Sequence, residues 1–148
     1  MRKIALAASI ATLILVINAC KKSDSNSNNP GARTIQNFSG SYKLSAITAS
    51  FLGLNVNLYD SLPDCDKDNV IELDSNKTAR FIDAGVACVP PSDSTGTWSL
   101  SSNTDTLYIA GTANFIKLWD GTNLMLVSTE NITGIPVPVT ATTTLVKK

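Results

Sequence analysis

This sequence predicts an all-β fold, an antiparallel up-and-down barrel of about eight strands. Two observations carry that expectation. From residue 38 onward, short runs rich in Thr, Val, Ile and aromatics alternate apolar with polar positions. Turn residues interrupt those runs at intervals of roughly 8–12 positions, the spacing of sequential hairpins. A third observation is negative: no segment of useful length repeats apolar residues at the helical period.

Residues 40–48 (GSYKLSAIT) form the first expected strand, with Tyr42, Leu44 and Ala46 on one face. Residues 52–59 form the second, where Leu54, Val56 and Leu58 alternate with Asn55 and Asn57. The third, 69–73, follows an acidic turn, and Asp74-Ser75-Asn76-Lys77 turns it into the fourth, 78–82. Residues 95–101 put Trp98 and Leu100 together; after Ser102-Asn103, residues 104–110 do the same for Leu107 and Ile109. Residues 114–119 and 123–129 form a hairpin around Asp120-Gly121, and 139–146 ends the series. Closing the sheet on itself hides its edges. An eight-stranded interior is either filled by side chains or holds one small ligand. The inward set reads as Tyr42, Leu44, Ile71, Leu73, Phe81, Trp98, Leu100, Leu107, Ile109, Ile116, Leu118, Leu124 and Leu126, and its plainest role is core. Within it, Tyr42, Phe81, Trp98, Leu100, Ile109, Leu118 and Leu126 are candidates to line a pocket.

Ahead of the barrel stands MRKIALAASIATLILVINAC. Arg2 and Lys3 precede an uncharged run from Ile4 to Ile17, too short for a comfortable spanning helix and long enough for a secretory leader. Ile17, Asn18 and Ala19 before Cys20 fit a lipobox, with Asn18 the less usual member. The expected organisation is a lipoprotein signal peptide over 1–19, a lipidated Cys20 with a disordered tether over 20–37, and the barrel over 38–148. Several acyl chains on Cys20 would hold the chain firmly to a membrane. Lys21, Lys22 and Asp24 form a partial charged export signal, equally readable as a solvated spacer. The expected location is the bacterial cell envelope, on an outer membrane, facing periplasm or cell surface.

Composition narrows the chemistry. Without residues 1–19, 129 of the 148 residues remain, with ten basic against twelve acidic side chains. That balance argues against nucleic acid, which requires a concentrated basic face. The chain has no histidine, which removes Ser-His and Cys-His nucleophile pairs and imidazole metal sites. With Cys20 taken by lipid, Cys65 and Cys88 are left as an even pair. They are either a disulfide or two buried thiols, and an exported chain favours the disulfide. Asp64, Asp66 and Asp68 at alternate positions look like the start of a calcium loop, but Asn69 and Ser75 stand where an EF-hand needs Gly and Glu. The reading preferred here is structural: Asp64 and Asp68 cap backbone amides while Lys67 offsets charge. The Asn-x-Ser/Thr sites at Asn37, Asn76 and Asn131 carry little meaning in a bacterial chain, and Ile135-Pro136-Val137-Pro138 reads as an extended connector.

Several segments occur together in a familiar order: Gly40-Ser41-Tyr42-Lys43-Leu44, DCDKDNVIEL (64–73), Cys88, Gly96-Thr97-Trp98-Ser99-Leu100 and FIKLWDGTNLMLV (115–127). This pattern resembles the lipocalin-like lipoprotein family common in Bacteroidetes, over most of residues 38–146. The resemblance implies a lipocalin-type barrel, export with lipidation, and a carrier or binding role without naming a ligand. Two departures stand out. Lys77 sits where the family often has a hairpin glycine, and Ile116-Lys117-Leu118 is one residue shorter than the usual spacing.

The expected function is therefore a lipid-anchored envelope protein that binds a small apolar ligand. Its expected partners are the membrane, through the lipid on Cys20, and that ligand; no cofactor, metal or nucleic acid is expected. The alternative is a side-chain-filled barrel serving an envelope complex through outer loops such as 129–138. An enzyme ranks last, because no nucleophile elbow, phosphate loop or metal signature accompanies the carboxylates.

Overall fold

The computed structural model describes residues 29–131 and 137–148. The leader, Cys20, and Ile135-Pro136 lie outside the described residues. Among the described residues, nine strands follow a single helical turn, α1 (Ile35–Phe38): β1 (Gly40–Phe51), β2 (Leu54–Asn57), β3 (Val70–Leu73), β4 (Thr78–Ile82), β5 (Ser94–Leu100), β6 (Thr106–Ile109), β7 (Thr112–Trp119), β8 (Asn123–Glu130) and β9 (Val139–Lys147). A second helical turn, α2 (Asp64–Lys67), lies between β2 and β3. β1 and β3 through β9 pair antiparallel in sequence order, and β9 returns to β1, so these eight strands close a barrel.

The second expected strand is where the fold departs from the sequence reading. β2 covers Leu54–Asn57 of the expected 52–59 and stands outside the closed ring, pairing with β1 alone. The cause is the length of β1. Its 12 residues outrun β3, which takes Gly40–Lys43 of one edge, and the chain folds back so that Leu54–Asn57 takes Phe51–Thr48 of the same edge. The reversal uses Leu52 and Gly53, both with positive φ (47° and 78°), the backbone a two-residue hairpin turn requires. Between the two pairings, residues 44–47 carry one backbone bond on this edge, from the Leu58 N–H to the Ile47 carbonyl (2.9 Å). The barrel wall parts there.

Two bulges re-aim side chains. In β1 the register with β9 slips between Leu44 and Ala46. Ser45 is the extra residue, so Tyr42 and Leu44 share the inner face while Ile47 and Ala49, rather than Ala46, continue it. In β7 the register with β8 slips between Ile116 and Leu118. Ile116 and Trp119 are buried, and Leu118, expected inside, is turned out with 43% of its surface exposed.

One end of the barrel is plugged. Phe38 from α1 is fully buried, with its ring centroid 4.9 Å from that of Trp119. The Tyr42 hydroxyl donates to the Phe38 carbonyl (2.6 Å), and burial raises its phenol pKa. Arg33 donates through Nη2 to the Ile116 carbonyl (3.0 Å) and through Nη1 to that of Thr104 (3.3 Å). Trp119 Nε1 donates to the Ala32 carbonyl (3.3 Å), and Lys147 Nζ to that of Asn37 (2.7 Å). Part of the expected tether, residues 29–37, thus packs on the barrel. These residues contact the barrel through both kinds of group: Arg33 satisfies the Thr104 and Ile116 carbonyls, and the Ala32 and Asn37 carbonyls accept from the side chains of Trp119 and Lys147.

Candidate functional site

The opposite end is the mouth. It gathers the β1–β2 hairpin, the 58–69 connection containing α2, the 83–93 connection and the Ala110-Gly111 turn, together with the end of β8 and the start of β9. A disulfide joins Cys65 to Cys88 across a Cα–Cα distance of 5.2 Å, tying α2 to the 83–93 connection. Closing that loop stabilises the fold by about 3 kcal/mol in the chain-entropy account. It also answers the question of the two cysteines: their sulfurs are bonded to each other, so the nearby Asp66 has no thiolate beside it with which to hold a metal.

Below the rim lies a cavity of about 330 Å³. Leu44, Ile47, Ile71, Phe81 and Leu145 supply its apolar wall, and Asp66, Asn69, Ser92, Ser94 and Thr143 its polar part. It sits beside the parted wall, where β1 has left β3 and not yet met β2. Higher on the rim, Ala49, Phe51, Val56, Leu58, Val139 and Ala141 line a second recess of about 300 Å³. Ala49 pairs with both Val56 and Ala141, which places these three on one face continuous with the barrel interior. Leu54, Val56 and Leu58 of the hairpin, with Val86 and Val89 across the mouth, are exposed.

The polar groups around the mouth are loop organisers. Asp68 Oδ2 accepts from the Val86 N–H (2.7 Å), while Oδ1 is buried with no hydrogen-bond partner among the described residues. Asp83 accepts from the N–H groups of Cys88 (3.0 Å) and Ser92 (3.2 Å). Asn69 bridges to Ser92 Oγ (3.2 Å) and the Ala84 N–H (3.3 Å). Asp68 therefore caps an amide as its sequence position suggested, whereas Asp64 instead pairs with Lys67 Nζ (3.3 Å). Asp64 and Asp68 thus serve separate partners on the rim.

The candidate pocket residues separate into three groups. Phe81 lines the cavity, and Leu100 is half-buried against the core. Tyr42, Trp98, Ile109 and Leu126 are buried in the core cluster, with Trp98 Nε1 bonded to the Asp74 carbonyl (2.8 Å). Leu118 belongs to neither, for the reason its bulge gives. The sequence reading missed Ile47 and Ser92 as pocket residues. Ile47 was hidden by the Ser45 bulge; Ser92 reaches the site through loop geometry that leaves no periodic trace.

A closed antiparallel barrel with one plugged end and a hollow mouth is a fold generally used for binding. Residues 38–134 match the family model described as a lipocalin-like domain, and the chain belongs to that family. The match stops short of β9, which the structure shows closing the barrel against β1. No curated protein and no solved structure shows significant similarity to the chain.

Proposed function

We propose that this protein is a lipoprotein of the bacterial cell envelope, anchored through Cys20, whose barrel takes a small apolar ligand through its mouth. The observation that carries the ligand reading is the cavity walled by Leu44, Ile71 and Phe81, apolar side chains left only partly buried beside a core that is otherwise complete. Such a concave, mostly apolar site with a few polar groups is the usual form of a small-molecule pocket. A barrel filled throughout explains the plugged half but gives no reason for these open side chains. The anchor reading is supported by the leader, the small residue before Cys20 and the polar stretch after it.

Titration with N-phenyl-1-naphthylamine, an uncharged dye that brightens in apolar surroundings, tests the pocket. Saturable binding is expected for the mature chain, with at least tenfold loss in Ile47→Trp, which fills the cavity entrance. Equal affinity in that variant contradicts the site. Mass spectrometry of the protein from native membranes tests the anchor: acyl chains on Cys20 are expected, and an unmodified, uncleaved chain overturns it.

A further inference from the structure

We propose that the mouth selects its ligand by charge, admitting uncharged or cationic apolar molecules and turning away anionic amphiphiles such as fatty-acid carboxylates. This deepens the carrier reading and rests on it. The connections 58–69 and 83–93 carry six aspartates, Asp60, Asp64, Asp66, Asp68, Asp83 and Asp93, against one cation, Lys67. The turns 52–53 and 110–111 at this end contain no charged residue. Lys67 is itself engaged, 3.3 Å from Asp64 and over the ring of Tyr59 at 6.0 Å. Among the described residues, Asp66 is the one charged side chain on the cavity wall, alongside the hydroxyl and amide groups of Ser92, Ser94 and Asn69.

An amphiphile with its tail against Phe81, Ile71 and Leu44 leaves its headgroup at this rim. A carboxylate there meets Asp66 and no cation, losing water without gaining a partner. A hydroxyl finds donors and acceptors in Ser92, Ser94 and Asn69, and an ammonium finds Asp66 as well. The five further aspartates act at longer range. Their summed field repels anions and draws cations toward the opening, and salt shortens its reach to about 10 Å at 0.1 M.

The test is competition for bound N-phenyl-1-naphthylamine by decylamine, decanol and decanoate, which share one tail. Decylamine and decanol are expected to displace the dye at least about tenfold more effectively than decanoate at low salt, narrowing as salt rises. Asp66→Asn, with an unchanged melting profile, is expected to shrink the gap. Decanoate competing as well as decanol overturns charge selection and leaves the carrier reading standing. An absence of dye binding overturns both.

Discussion

The two ends of this barrel are built from the same alternating strands and end in opposite states. At the plugged end, Phe38, Tyr42, Trp98 and Trp119 are buried and each ring nitrogen or hydroxyl has a carbonyl partner. Its turns and termini balance Asp74, Asp105 and Asp120 against Arg33, Lys77, Lys147 and Lys148. At the mouth, side chains stop short of filling the interior, aspartates outnumber lysines, and a disulfide ties down loops that have little apolar burial of their own. The difference shows how a small barrel divides its tasks. Packing at one end supplies stability, so the other can stay hollow while a covalent tie and carboxylate caps hold its loops.

Truncation on each side sharpens that division most. Phe38→Ala removes a fully buried ring and is expected to cost about 3–5 kcal/mol in urea unfolding. Phe81→Ala, at the half-buried wall, is expected to cost about 1–2 kcal/mol while weakening dye binding. Equal costs would break the comparison. Replacing both Cys65 and Cys88 with Ser is expected to lower stability by about 3 kcal/mol, with hydrogen exchange rising in 58–69 and 83–93 and unchanged around Trp98 and Trp119. Lys77, with φ of 72° in the turn between β3 and β4, holds a conformation that disfavours a side chain. Lys77→Gly is expected to raise stability by about 1 kcal/mol, read from the urea midpoint. The smallest effect concerns Asp120, whose carboxyl is held below the usual aspartate range by hydrogen bonds from the backbone and side chain of Asn123 and from the Thr122 backbone. Its contribution is complete above the ordinary aspartate value and is lost as pH falls through the lowered one. The melting-temperature gap between the parent and Asp120→Ala should therefore narrow in strong acid.

Much of this was legible in the sequence, and the exceptions share a cause. Alternation located eight barrel strands to within a few residues, because a half-buried strand imposes a period of two. Alternation also made Leu54, Val56 and Leu58 look like another barrel strand; periodicity cannot distinguish an apolar face that meets a core from one that projects above a rim. The Ser45 and Lys117 bulges shifted the inward sets of β1 and β7, and one extra residue leaves no mark on composition. The glycine often found in place of Lys77 was a real signal of left-handed backbone. The pairing of Cys65 with Cys88 followed from an even count, but the cavity beside it depends on where β1 leaves β3, which long-range register decides.

The central claim is that the mouth receives ligand while the plugged end serves as fixed core. Methyl NMR of the mature chain, titrated with decanol, addresses it directly. Shifts are predicted at Leu44, Ile47, Ile71 and Leu145 with Leu107, Ile116 and Leu124 unmoved; shifts centred on the latter set, or none at saturating decanol, would contradict the account.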